Sequence, residues 1–127
     1  MEDIPVIRSR GLNHINLNVR DLSRSLRFYQ DAFGLVVRFR EGDDMVFIGA
    51  EGEHDLITLH QVGGNEPVAG GGVSHFGFGF DRGEPWDAVI AQIERAGGKL
   101  RNRGEHEPGQ PFAYFYDPDG YLIEIGN

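Results

Sequence analysis

Gly11-Leu-Asn-His-Ile-Asn-Leu-Asn-Val19 and Gly72-Val-Ser-His-Phe-Gly-Phe-Gly-Phe80 share one pattern at a constant offset of 61 residues. Both alternate residue by residue, the period of a strand whose two faces meet different surroundings. In the first copy Ile15, Leu17 and Val19 share one face, and His14, Asn16 and Asn18 share the other. His14 falls on His75.

Working outward, a helix is expected after each strand. Asp21 caps the first, Leu22, Leu26, Tyr29 and Phe33 recur at near-helical spacing, and Gly34 stops it. In the second, Pro85 suits a first helical turn, Trp86, Val89, Ile90 and Ile93 form the apolar stripe, and Gly97-Gly98 ends it. Three shorter β-like runs follow each helix: 35–40, 44–49 and 55–62, then 99–103, 112–117 and 121–125. The closing runs match as well, since Leu56-Ile-Thr-Leu59 overlays Leu122-Ile-Glu-Ile125 at an offset of 66, which sets Thr58 on Glu124.

The expected fold is therefore α+β: two βαβββ modules forming a curved mixed sheet around a site. Residues 1–127 make one domain, with module one at 11–62, a Gly-rich linker at 63–72 and module two at 73–126. Neither half of about 60 residues buries much apolar surface alone, so the two should pack together.

Composition narrows the partners. A net charge of −8 gives little support to an extended nucleic-acid footprint, which needs a cationic face, and a small-molecule substrate fits better. No run approaches the roughly 20 apolar residues of a membrane span, and the N-terminus lacks an apolar signal region, so a cytoplasmic protein is expected. With no cysteine, any metal must sit on His, Asp or Glu.

If a pseudo-twofold axis relates the modules, His14, His75, Glu124 and Thr58 converge around it. Two imidazoles and one carboxylate leave coordination positions open for substrate and dioxygen on non-haem Fe(II), and the set also suits Mn(II) and, less distinctively, Zn(II). A single strand histidine is more often just hydrogen-bonded; two at identical repeat positions are the stronger signal. Gly77 and Gly79 share the face of His75 and leave room for a planar ring, with Phe47, Phe112, Tyr114 and Tyr116 available as walls. Asn16 shares the face of His14, and His60 shares the parity of Thr58, so both line the expected pocket.

These residues resemble the vicinal oxygen chelate superfamily, which includes glyoxalase I, fosfomycin-resistance transferases, bleomycin-binding proteins and extradiol ring-cleaving dioxygenases. The resemblance rests on LNHINLNVRDLSRSLRFYQDAFGL, VSHFGFGF and FAYFYDPDGYLIEIG and covers residues 11–126. It implies that His14, His75 and Glu124 are the metal ligands. Glyoxalase I carries a second glutamate where this chain has Thr58. The fosfomycin transferases expect a threonine at Asn16 and a cationic extension beyond Asn127.

The extradiol dioxygenases match further. A histidine precedes their fourth strand as His54 does in Glu53-His54-Asp55-Leu56, and a tyrosine lies ten residues before the carboxylate ligand, as Tyr114 does. Another histidine stands in the loop before that tyrosine, near His106. The resemblance thus implies an Fe(II) extradiol-type dioxygenase acting on a catechol-like molecule. His54 would carry the substrate proton, and Tyr114 and His106 would orient the ring. Mn(II), Zn(II) or Ni(II) are the alternative metals. The alternative functions are a glyoxalase-like or fosfomycin-transferase-like enzyme and a drug-binding module. A homodimer is the expected assembly, with module pairing inside one chain or between two left open.

Overall fold

The computed structural model describes residues 7–81 and 83–126. Its elements run β1 (Ile15–Val19), α1 (Leu22–Phe33), β2 (Val36–Glu41), β3 (Met45–Gly49), β4 (Ile57–Gln61), β5 (Phe76–Gly79), α2 (Trp86–Arg95), β6 (Lys99–Glu107), β7 (Gln110–Tyr116) and β8 (Leu122–Gly126). This is βαβββ twice. Each half builds a four-stranded mixed sheet, ordered β1-β4-β3-β2 and β5-β8-β7-β6. The parallel pairs carry the repeat: Asn16 stands opposite Thr58 and Gly77 opposite Glu124, so the two offsets read from the sequence are one register in space.

Local chemistry sets the helix ends. Asp21 takes an extended conformation and its carboxylate accepts from the Arg24 N–H, while Gly34, at φ 67°, turns the chain and donates to the Gln30 carbonyl. Pro85 sits at the cap position itself, one residue before the second helix begins, rather than inside its first turn. The strands start later than their alternation suggests, so His14 and His75 each stand one residue ahead of a strand.

A larger difference lies in β6, expected to end at Arg103 but continuing to Glu107. Gly104, Pro108 and Gly109 read as breakers, yet Glu105 pairs with Pro111 and Glu107 with Gln110, and that hairpin pairing carries the strand on. His106 is therefore a strand residue and not a loop residue.

One apolar cluster spans both halves, with Leu17, Val19, Phe28, Tyr29, Val46, Ile48 and Leu59 from the first and Ile90, Ile93, Phe115, Ile123 and Ile125 from the second. Phe33 stacks on Phe78 across the junction at 4.5 Å. Polar contacts add direction there. The Tyr29 hydroxyl donates to Asp117 at 2.6 Å, and Asp119 accepts from the Ser25 hydroxyl, the Arg24 guanidinium and the Arg20 N–H at 3.0–3.1 Å. Helix α1 is thus gripped by the β7–β8 turn. Among the described residues no helix is long and apolar enough to cross a membrane.

Candidate metal centre

The sheet of module two gathers five of the expected site residues, His75, His106, Phe112, Tyr114 and Glu124. Tyr114 and Gly77 flank Glu124 on the neighbouring strands. His75 Nε2 lies 3.4 Å from Glu124 Oε1, and His106 Nε2 lies 2.9 Å from Glu124 Oε2. The Tyr114 ring meets the His75 ring edge-on at 5.2 Å, and Phe112 stacks on His106 at 4.3 Å. Only glycine fits beside the carboxylate strand at position 77, because a Cβ there would sit 2.8 Å from the Glu124 carbonyl oxygen.

Electrostatics follow from this crowding. The hydrogen bond from His106 holds the Glu124 carboxyl below its usual range, against the opposing effect of burial, with Tyr114 and the charge of His75 adding to the same direction. Lost hydration raises the Tyr114 phenol, the nearby Glu124 charge raises it further, and Arg101 pulls the other way. At neutral pH Glu124 is thus an acceptor and Tyr114 keeps its proton as a donor.

Both repeat histidines are anchored alike. His75 Nδ1 contacts the Ser74 hydroxyl at 3.0 Å and His14 Nδ1 contacts the Asn13 amide oxygen. With Nδ1 engaged, Nε2 is the nitrogen left to bind a metal, the usual arrangement of ligating imidazoles. Asn13 and Ser74 were not singled out in the sequence, although the offset of 61 relates them.

Module one supplies a drier wall. His14 meets the edge of Phe47 at 6.4 Å, and Phe47 lies 4.2 Å from Phe39. Thr58, the counterpart of Glu124, is 2% exposed, and its hydroxyl has no partner among the described residues. His60 faces Asp44 at 3.4 Å, and the Asn16 amide donates to Asn18. His54 is exposed in the β3–β4 loop and takes part in no side-chain hydrogen bond or ion pair among the described residues.

Convergence of His14, His75, Glu124 and Thr58 within one chain is not what the structure shows. Among the described residues no group of three or more His, Asp or Glu side chains is arranged to hold a metal. The modules meet through their helices and the β7–β8 turn, and the ring contact of His14 is with Phe47 of module one. His75 and Glu124 alone do fit one ion. Their 3.4 Å separation agrees with two donors about 2.1 Å from a metal, which stand about 3.0–3.4 Å apart for octahedral to tetrahedral angles. A cavity of about 780 Å³ opens beside His75 and Asn16, bounded by Tyr116, Tyr121 and the linker. A smaller one of about 310 Å³ has His14, Asp55 and Gly77 on its lining.

The fold defines a class. The chain belongs to the Glyoxalase/Bleomycin resistance protein/Dioxygenase superfamily, whose profile matches residues 11–125. A "Probable lactoylglutathione lyase" of Synechocystis is 33% identical over 90% of this chain and 92% of its own length. The chain spans only 35% of a 28% identical "Probable lactoylglutathione lyase, chloroplastic" of Arabidopsis thaliana. A solved fosfomycin resistance protein of Listeria monocytogenes, complexed with Mn(II) and 1S,2S-dihydroxypropylphosphonic acid, superposes with a TM-score of 0.73. It is 25% identical, with 94% of this chain and 90% of that one covered. These names are of lyases and a resistance protein. They support the non-oxidative alternatives better than the ring-cleaving dioxygenase expected from His54, Tyr114 and His106.

Proposed function

We propose that this chain is a divalent-metal enzyme that isomerises or opens a small substrate bearing oxygens on adjacent carbons, without consuming dioxygen. One observation carries the reading: His75 and Glu124 are set at ligand spacing, with His106 and Tyr114 beside the carboxylate. The lyase and fosfomycin-resistance relatives support the non-oxidative chemistry.

His75 and Glu124 of one copy and His14 of a second copy would hold the metal. When bound, the ion supplies Lewis-acid polarisation of the paired substrate oxygens. The protein's own side chains do the rest. Tyr114 donates a hydrogen bond that orients a substrate oxygen, and Phe112 holds the His106 ring in place by stacking. Thr58 stands where glyoxalase I carries a second glutamate, so proton transfer falls to His106, whose Nε2 reaches Glu124.

A homodimer would supply the third ligand, since among the described residues no three His, Asp or Glu side chains of one chain form a metal-binding group. Leu12 and Val73, related by the repeat and each two residues before a ligand histidine, are 88% and 75% exposed. A second copy seated there would cover both and could bring its His14 to the first chain's carboxylate.

Tyr114 and His106 also lie where an extradiol enzyme needs them, so ring cleavage on Fe(II) is the second reading. Protein loaded in turn with Mn(II), Ni(II), Zn(II) and Fe(II) is assayed on hemithioacetals, epoxides and catechols. The expected outcome is turnover of the first or second class without oxygen uptake, reduced ~10²-fold or more in His106→Ala and unchanged in His54→Ala. Oxygen consumption with a catechol, lost in His54→Ala, reverses the choice.

A further inference from the structure

The ion pairs of the described residues fall into two groups by length. Arg24 and Asp119 at 3.0 Å, Arg103 and Asp87 at 2.8 Å, and His106 and Glu124 at 2.9 Å are ordinary charge-assisted hydrogen bonds. His75 and Glu124 stand at 3.4 Å, and so do His60 and Asp44. Both distances lie beyond the roughly 2.7–3.2 Å of an N–H···O hydrogen bond. A third long pair, Arg38 and Asp55 at 3.9 Å, has a plain cause. Arg38 is the extra residue of a bulge in β2, as Arg101 is in β6, and its guanidinium is spent on the Ala50 and Glu53 carbonyls, fastening the β3–β4 loop.

His60 and Asp44 are each positioned by backbone that does not need their side chains to meet. His60 pairs with Met45 across β4 and β3, and the Asp44 carbonyl accepts from the Gln61 N–H at 2.8 Å. The imidazole Nε2 and a carboxylate oxygen nevertheless face one another at 3.4 Å, and two donors about 2.1 Å from one ion stand about 3.0–3.4 Å apart. The side chains are 32% and 60% exposed, so water reaches the remaining coordination positions of an ion held there. An imidazole nitrogen beside a carboxylate oxygen suits Zn(II), Ni(II) or Co(II) better than Mg(II), which prefers an octahedron of oxygens.

The pair is separate from the candidate metal centre. Asn18 is the β1 residue opposite His60, and it lies four residues along from His14, about 13 Å at the rise of a strand. That is far beyond the roughly 3.5–4 Å between two metals that share one reaction. An ion here would join the β2–β3 turn, through Asp44, to the end of β4, through His60. Its work is that of a clip.

We propose that His60 and Asp44 form a second divalent-cation site, suited to an ion such as Zn(II), that clips the β2–β3 turn to β4. The site is independent of the metalloenzyme reading, since it uses neither His75 nor Glu124.

The test removes the candidate centre first. Zn(II) is titrated by calorimetry into a variant carrying His75→Ala and Glu124→Ala, and into the same variant with His60→Ala, Asp44→Asn or His54→Ala added. His54 is an exposed histidine without a carboxylate partner among the described residues, so it controls for binding by any surface imidazole. The His60 ring resonances of the wild type are followed by NMR during the same titration, which decides the matter even if the double variant does not fold. The expected result is one Zn(II) bound to the double variant, at least ~10-fold more weakly once His60→Ala or Asp44→Asn is added and equally well with His54→Ala. The His60 ring of the wild type shifts with Zn(II), and excess Mg(II) does not reverse the shift. Equal Zn(II) binding with and without His60→Ala, an equal loss in His54→Ala, or a His60 ring that Zn(II) leaves unmoved overturns the proposal.

Discussion

Position by position, module one and module two have the same backbone and opposite chemistry. Phe47 stands beside Thr58 where Tyr114 stands beside Glu124, and a bulged arginine that ties down a loop in one half is unpaired in the other. Among the expected ligand positions the histidines, His14 and His75, are kept in both, each anchored by its preceding residue, Asn13 or Ser74. A duplicated scaffold offers two symmetric sets of positions. Here one set became a mostly apolar wall with a single imidazole, and the other took the carboxylate, the phenol and the second histidine.

The sharpest way to break this division is to remove a ligand from each half. Glu124→Ala and His14→Ala are each expected to weaken metal binding at least ~10²-fold, measured by calorimetry, since each deletes a proposed ligand. If the two halves of a site come from different copies, mixing and refolding the two variants restores metal binding to part of the sites. No restoration in the mixture, with both variants dimeric, would place the whole site in one chain and end the shared-site reading.

Next in size is the grip between the halves. Tyr29→Phe leaves a buried oxygen of Asp117 without its donor, a cost of about 1–3 kcal/mol in chemical denaturation. The same junction has a pH signature. Burial raises the Asp117 carboxyl above its usual range, outweighing the hydrogen bonds from Tyr29, Tyr121 and Asp119 that favour its charge. A carboxyl whose folded pKa exceeds its unfolded value of about 3.9 contributes stability that is complete below that value and declines as pH rises through the folded one. Wild type should therefore gain on Asp117→Asn as pH falls from neutral, read as the difference between their melting temperatures. A gap that stays constant with pH removes the carboxyl from the junction's energetics.

The smallest effect is expected at Thr58, the counterpart of Glu124. Thr58→Val replaces a buried hydroxyl that has no partner among the described residues, so stability should change by no more than about 1 kcal/mol and metal affinity not at all. A large loss of metal affinity would show that the two halves share the coordination more evenly than their residues suggest.

How much of this could be read from the chain alone depends on the range of the interaction. The helix caps at Asp21 and Gly34 are local, and the equivalence of Thr58 and Glu124 is visible because a parallel pair keeps its register in both copies. The sequence places His106 in a loop before Tyr114 and gives no sign of its contact with Glu124. Its origin in a lengthened β6 was hidden, because the partner strand, not the Gly and Pro composition, decides where that strand stops. The bulges at Arg38 and Arg101 are invisible for a related reason: an extra residue exists only relative to the strand it fails to pair with. The absence, among the described residues, of a group of three side chains arranged to hold a metal was beyond reach, since it depends on how the two modules dock through contacts such as those of Asp117 and Asp119 with α1.

That seat has a consequence for the connector. Residues 63–72 are mostly small, and Ala69, Gly70 and Gly71 turn through φ of 55°, 75° and 84°, so this stretch contributes little to holding the modules together. Its contribution is tethering: a short flexible link keeps its two ends at an effective concentration on the order of millimolar. The shared apolar cluster and the two aspartates supply the adhesion. A chain nicked by a protease at Gly70 would then stay assembled as two fragments at high protein concentration and come apart on dilution. The connector would behave as a leash whose value is measured in molarity.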